Sequence, residues 1–347
     1  MTAEPMKPAT LVATILLLVL NGCAGHQQSA VDAAGPQAGR IETLFWFFLA
    51  ILGAVFIIVM AAAAWTLTKR HRGIEQEPLE RTHLPPPQTE TRLTRVVTIA
   101  TIATVVILFV LLVSSIVTGK GMAEFANSKN PMVIEVTGWQ WWWQVRYQNS
   151  DPQQVLDTAN EIHIPVGRPV MIRGTSQDVI HSFWVPNLHG KRDLIPSRIT
   201  TEWIEADHPG VFRGQCAEFC GLQHAHMSVW VVAEPGDKFQ AWFNSQLQPA
   251  PAPTDPVLQR GQQVFLNYAC VYCHTIRGTT AAGQNGPDLT HFGTRQGLAA
   301  NTLPNSMGNL GGWIVNPQSV KPGNHMATIA VNPDDLQPLL QYLESLK

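Results

Sequence analysis

Two runs of the chain, residues 43–68 and 96–119, contain no charged side chain. As helices they would each reach about 36–39 Å at about 1.5 Å per residue, enough to cross a hydrocarbon core about 30 Å thick. A chain with two such runs cannot fold as a wholly water-soluble body. The segment between them, residues 69–95, holds Lys69, Arg70, Arg72, Arg81, Arg92 and Arg95. By the positive-inside rule this loop is cytoplasmic, so both outer ends of the helical hairpin face the periplasm. Pro85-Pro86-Pro87 makes the loop stiff. Composition agrees with a mixed membrane and soluble chain: charged residues are 14%, against about 25% in ordinary soluble domains.

The N-terminus adds an export signal. Lys7 precedes an apolar heart, Leu11 to Leu20, too short to span a bilayer and of the length of a signal-peptide core, which assigns residues 1–22. It ends Leu20-Asn21-Gly22-Cys23, which resembles a bacterial lipoprotein box. Cys23 is expected either to carry a lipid anchor or to follow an ordinary signal peptide by chance. Residues 23–42 form a short periplasmic segment. The formal net charge is −2, which leaves no basic field for nucleic acid.

Beyond the second span, residues 120–246 read as β structure. Val133 to Thr137, Glu161 to Ile164 and Val229 to Val232 show strand patterning, and Gly and Pro punctuate at short intervals. Short strands so spaced predict an all-β sandwich or Greek-key barrel. Residues 247–256 are a Pro/Ala tract, expected to be a semi-rigid linker. Residues 257–347 form a small all-α domain, with helical spacing over Val257–Asn267 and Pro333–Ser345. No internal repeat is present.

Five cysteines are too few for a disulfide scaffold, and four of them sit in two tight pairs. The first pair lies in Gly214-Gln215-Cys216-Ala217-Glu218-Phe219-Cys220-Gly221-Leu222-Gln223-His224-Ala225-His226-Met227. Thiolate, imidazole and thioether together are soft ligands that select copper. A mononuclear blue-copper loop needs one Cys. Two bridging thiolates can instead hold two copper ions that share an electron. The remaining His should come from an upstream strand end, and His181 is the best placed. The Glu218 carbonyl can reach one copper, which turns its carboxylate away, toward a hard cation. A Cys216–Cys220 disulfide or a zinc site are the competing readings. The first leaves His224 and Met227 without a role, and Met is a poor zinc ligand.

Cys-x-Glu-x-Cys-Gly-x-x-His-x-x-Met, with His-Ser-Phe-Trp-Val-Pro upstream and Asp193-Leu194-Ile195-Pro196-Ser197-Arg198 between them, resembles cytochrome c oxidase subunit II with its dinuclear copper centre, CuA. The resemblance covers the first membrane helix to Val232. It implies a two-helix hairpin and a cupredoxin-like fold. It also implies the ligands His181, Cys216, Glu218 through its main-chain oxygen, Cys220, His224 and Met227, and a magnesium ion held partly by the Glu218 carboxylate where subunit I docks. Within Gly138-Trp139-Gln140-Trp141-Trp142-Trp143, alternation along a strand would put Trp139, Trp141 and Trp143 on one face and Trp142 on the other. On residues alone these indoles are core or interfacial belt. The family resemblance implies that Trp141 receives electrons. Trp139 stands where that family usually has His, and Gln144 and Arg146 stand where many relatives are acidic, which argues against docking of a basic soluble cytochrome c here.

The second pair lies in Cys270-Val271-Tyr272-Cys273-His274. Cys-x-x-Cys-His attaches haem through two thioethers and binds its iron through the adjoining imidazole. A zinc knuckle or redox dithiol would not need that His. The segment resembles a class I cytochrome c, and Gly286-Pro287-Asp288-Leu289 resembles the loop whose Pro carbonyl orients the iron-binding His. Lys321-Pro322-Gly323-Asn324-His325-Met326 resembles the family's sixth-ligand loop, which makes Met326 the expected axial ligand. Met307, His291 and His325 are the other groups downstream.

The expected protein is thus a multidomain membrane protein: a transmembrane hairpin, a cupredoxin-like domain with two copper ions and a fused cytochrome c domain with one covalent haem. It would be subunit II of a haem–copper terminal oxidase in a bacterial inner membrane, with its C-terminal domains on the periplasmic side. Electrons would run from an external donor (a c-type cytochrome or a quinol-oxidising complex) through the haem to CuA and on to subunit I. There O2 is reduced and protons are pumped. Subunit III is a further expected partner. The alternative is a stand-alone, membrane-anchored electron shuttle serving another reductase, although a shuttle needs one anchor at most. A quinol oxidase subunit would lack the copper ligands, and a copper-delivery lipoprotein would have no use for the haem motif.

Overall fold

The computed structural model describes residues 27–70, 87–123 and 131–347. The signal peptide, Cys23 and most of the loop at 69–95 lie outside the described residues. The chain divides into two units, residues 39–128 and the remainder.

The first unit is two long helices, α1 (Pro36–Arg70) and α2 (Pro87–Ala123). Both extend past the uncharged runs at each end. The most apolar 18-residue stretches within 36–68 and 90–122 have mean hydropathies of 2.8 and 3.0. Phe56, Ile57, Val97, Ile99 and Phe109 all point outward. Water would penalise that arrangement, whereas lipid is the solvent for which a helix with all its backbone bonds internal and apolar side chains outside is suited.

The second unit opens with β strands. They run β1 (Met132–Trp139), β2 (Trp142–Gln148), β3 (Leu156–Ala159), β4 (Glu161–Pro165), β5 (Val170–Ser176), β6 (His181–Trp184), β7 (Arg192–Leu194), β8 (Thr200–Ile204), β9 (Gly210–Cys216) and β10 (Ser228–Glu234). Two five-stranded sheets form, in the orders β3-β2-β1-β5-β8 and β4-β10-β9-β6-β7. Alternate residues point inward, as a period of two requires. Ile134, Val136, Trp143, Val145, Tyr147 and Ile172 of one sheet meet Ile162, Ile164, Phe183, Phe212, Val229 and Val231 of the other in one core. The expected sandwich is therefore the observed one.

Two features depart from the sequence reading. The four-tryptophan stretch is not one strand: β1 ends at Trp139 and β2 starts at Trp142, so Gln140 and Trp141 make a two-residue turn. Trp139 pairs across the ladder with Trp142 and stacks on it with ring centroids 5.7 Å apart. The common face of Trp139, Trp141 and Trp143 does not exist, because the chain reverses between them. A helix also follows β10, α3 (Gly236–Leu247). Phe239, Trp242 and Phe243 lie at helical spacing and cover the sandwich beside Tyr147.

The C-terminal helices are α4 (Pro256–Asn267), α5 (Met307–Val315), α6 (Pro317–Val320) and α7 (Pro333–Ser345), with a short hairpin of β11 (Gly297–Leu298) and β12 (Leu303–Pro304). Asp255 caps α4 by accepting from Val257 N and Leu258 N. The helices α4 and α7 cross at Gly261, where a Cβ would run into the Pro338 carbonyl and sit 2.6 Å from Tyr342 Cβ. Only glycine lets the two backbones come this close. The tract after α3 is bonded to this domain. Arg277 donates to the carbonyls of Gln246 and Leu247, Ala250 N donates to Arg277 O, and the Ala250 side chain joins the domain's core.

Candidate metal and haem centres

The start of β6, the end of β9 and the loop between β9 and β10 converge on one buried cluster. Cys216 ends β9 and is 1% exposed. The loop turns at Gly221, whose φ of +112 lies in the left-handed region that suits glycine. This brings Cys220 Sγ to 3.7 Å from Cys216 Sγ, and both cysteines are free. No disulfide joins them. His181 Nδ1 lies 3.8 Å from Cys216 Sγ, and His224 Nδ1 lies 3.6 Å from Cys220 Sγ. Met227 Sδ is 4.0 Å from Cys220 Sγ, and Glu218 O is 3.2 Å from Cys216 Sγ. Each sulfur thus has one imidazole against it, with a thioether at one end and a carbonyl at the other. The ligand atoms of His181, Cys216 and Cys220 all lie within 4.8 Å of one another.

Electrostatics suit a cation. The hydrogen bond shared with Cys220, with help from His181, holds the Cys216 thiol down at about 3 against the cost of burial. The same neighbour and burial push the Cys220 thiol up. The lowered Cys216 thiol favours a thiolate, and a bound metal would displace the proton of Cys220. Burial pushes the His181 imidazole down, yet Asp178 and Cys216 outweigh it and the net direction is up. Asp178 Oδ1 lies 2.8 Å from His181 Nε2. A carboxylate accepts, so Nε2 carries the hydrogen and the Nδ1 lone pair faces the sulfurs. Gly138 leaves room for that ring: a Cβ there would sit 2.6 Å from His181 Cδ2.

Trp141 lies against this cluster and is 6% exposed. Its Nε1 donates to Cys220 O at 2.9 Å, and Gln140 Nε2 donates to the same carbonyl at 2.8 Å. Arg146 is paired with Asp157 at 2.8 Å. The Glu218 carboxylate points away from the sulfurs and pairs with Lys191 at 3.2 Å.

In the α-helical domain Cys270 and Cys273 are free thiols on one short turn. His274 follows, and burial pushes its imidazole down, so it is neutral. Pro287 O accepts from His274 Nδ1 at 2.8 Å, which leaves the Nε2 lone pair available to iron. A Cβ on Gly286 would sit 2.8 Å from His274 Cε1. Two adjacent thiols and one neutral, oriented imidazole fit covalent haem. Met326 and Met307 both pack on this domain's core. The Met326 backbone is held by Asn324 and Gln318. His291 Nε2 donates to Gln248 O and so faces the tract after α3, while the His325 ring lies 6.5 Å from Trp141.

Sequence reasoning missed four participants: Asp178, Gln140, Gly138 as the space for His181, and Lys321. Asp178 stands three residues before His181, and that spacing was the one available signal. The others act through backbone atoms or through space.

Residues 132–234 match the family described as cytochrome c oxidase subunit II, periplasmic domain, and residues 258–347 match the cytochrome c family. The chain is 36% identical over 344 residues to a cytochrome c oxidase subunit 2 of Alkalihalophilus pseudofirmus, covering 96% of this chain and 95% of that one. It is 34% identical over 240 residues to a cytochrome c oxidase subunit 2 of a Bacillus species, covering 66% of each chain. A quinol oxidase subunit 2 of Bacillus cereus is 28% identical over 251 residues, covering 72% of this chain and 83% of that one.

Proposed function

The chain belongs to the cytochrome c oxidase subunit II family, and from that premise we propose that it relays electrons from an external donor, through a covalent haem and a copper pair, to subunit I. It is a membrane-anchored subunit of a haem–copper oxidase with a cytochrome c domain, and its family implies copper, haem c and association with subunit I. O2 reduction and proton pumping belong to the complex.

The observation that carries the reading is the symmetrical pairing of two sulfurs 3.7 Å apart with one imidazole each. His181, Cys216, Cys220, His224 and Met227, with Glu218 O, would hold two copper ions. Copper supplies a one-electron couple with little rearrangement. The chain buries both sulfurs, fixes the His181 tautomer through Asp178 and sets Trp141 against the Cys220 carbonyl. That bond supports Trp141 as the residue through which electrons reach the copper site. Cys270 and Cys273 would bind the haem, with His274 and Met326 on its iron and Pro287 orienting His274. A thioether ligand on the iron would raise the haem potential toward that of a copper acceptor.

The Glu218 carboxylate is proposed to take part in a magnesium site against subunit I. Lys191 now occupies its oxygen and would be displaced by the cation. The external donor is a c-type cytochrome or a quinol-oxidising complex, and subunit III is a further partner. The helical hairpin sits in the bacterial inner membrane with the two redox domains on the periplasmic side, and Cys23 is a proposed lipid site.

Cys216→Ser tests the ligand set. The near-infrared copper band should vanish while the c-type haem spectrum persists, with copper content falling to below two atoms per chain. Unchanged copper absorption would refute it.

A further inference from the structure

Lys321 is a buried charge: it is 2% exposed, and among the described residues no carboxylate pairs with it. Its Nζ instead donates to three backbone carbonyls: Trp141 O at 2.8 Å, His226 O at 2.8 Å and Ala299 O at 3.0 Å. Trp141 belongs to the β1–β2 turn and His226 to the copper-ligand loop, while Ala299 lies in the cytochrome c domain. One ammonium group therefore joins both sides of the interface between the two redox domains.

The segment under it is also unusual. Ala299, Ala300 and Asn301 have φ of 52, 56 and 59. Three consecutive non-glycine residues in the left-handed region are disfavoured by the approach of Cβ to the following carbonyl, and such a turn persists only where its surroundings over-determine it. Here they do. Ala300 O accepts from Ser228 Oγ at 3.0 Å, and Asn301 Nδ2 donates to Asn160 O at 3.0 Å. Beside Lys321, Pro322 O accepts from Gln223 Nε2 at 2.8 Å. Gly323 and His325 come up against Trp141 from the same loop. A turn bent at such cost and a buried ammonium with its three bonds satisfied across the boundary describe a built seat.

We propose that Lys321 is a positioning residue that locks the cytochrome c domain onto the copper domain in one register, so that the two redox sites form one rigid unit and the length of the tether does not set the rate between them. This rests on the electron-relay reading above. The transfer concerned is a one-electron exchange, in which the donor site is oxidised as the acceptor site is reduced. No bond is made or broken, so geometry and docked population are what the chain controls.

The test is made in the intact oxidase, with the copper band and haem spectrum recorded first. Absence of either from the unaltered protein would overturn the relay reading rather than the docking. About ten Gly/Ser residues are inserted between Pro251 and Ala252, with and without Lys321→Met. Haem-to-copper transfer is followed after flash photoreduction, and backbone hydrogen exchange is measured at residues 299–302 and 321–324. For a swinging tether the effective concentration falls as the linker lengthens. For a locked domain the insertion alone leaves the rate and the exchange unchanged. Lys321→Met should lower the rate about tenfold, as loss of charge-assisted bonds depletes the docked population. It should also make the rate depend on linker length and speed exchange at both segments. If insertion alone slows transfer in the unaltered chain, the proposal is overturned, and this arm decides even where Lys321→Met does not fold. Rates and exchange in Lys321→Met equal to those of the unaltered protein would overturn it as well.

Discussion

Glu202 shows what burial does to a single carboxyl. It lies on β8 at 3% exposure, and neither side-chain oxygen has a hydrogen-bond partner. His189 Nδ1 stays 3.6 Å away. Burial pushes the Glu202 carboxyl well above its ordinary 4.5, and the Arg192 charge only partly opposes this. The folded chain therefore holds a proton that the unfolded chain releases above about 4.5. Stability from this group is complete below that value and is lost as pH rises through the higher folded value. Glu202→Gln should remove the loss. Its melting temperature should exceed that of the unaltered protein by a few degrees at pH 8, with the gap closing toward pH 5, as calorimetry across that range would show. The same scale explains what the sequence could reveal of the copper site. His181, Cys216, Cys220, His224 and Met227 are legible because their side chains carry the chemistry. Lys321 and Gln140 act on carbonyl oxygens, which every residue has, so no residue type marks their targets.

At the scale of elements, strand patterning in 133–137 and 229–232 and helical spacing in 257–267 and 333–345 were plain, because apolar residues recur at the period of each element. The reversal at Gln140-Trp141 was not. No Asn-Gly or Asp-Gly marks it, and long-range bonds hold it instead: Gln140 N to Asp178 Oδ2 at 2.6 Å, and two donors to Cys220 O. A turn made by tertiary contacts leaves no local signal. The helix α3 escaped notice for the opposite reason, since its Phe239, Trp242 and Phe243 continue directly from a strand-rich domain. Packing of α4 on α7 depends on Gly261. Gly261→Ala should separate these helices and destabilise the cytochrome c domain by about 1–3 kcal/mol, the usual cost of overpacking. Thermal unfolding read at the haem absorption should shift down while the copper band melts unchanged. A shared shift would mean that the two domains unfold as one.

At the scale of the molecule, the sequence pointed to a tether and the structure adds a seat. The Pro/Ala composition of 247–256 was readable, yet its first half is bound: Ala250 lies in the cytochrome c core, and Arg277 and His291 hold the carbonyls of Gln246, Leu247 and Gln248. A cleft between Trp142, Gln144 and Arg146 on one side and Thr275, Gly283 and Gly286 on the other brings the haem-attachment segment beside the tryptophan hairpin. Composition cannot reveal such a seat, because it depends on where carbonyls point after both domains have folded.

The anchored stub at Gln246–Ala250 has a corollary for the continuity of the polypeptide. If the backbone were severed in the exposed stretch after Ala250, the upstream fragment would still end in a strip clasped by the downstream one. The two halves should then co-elute on a sizing column and part only in denaturant, like a garment whose seam is stitched well inside its visible edge. Separation of the halves in native buffer would show that covalent connection, not this clasp, keeps donor and acceptor together.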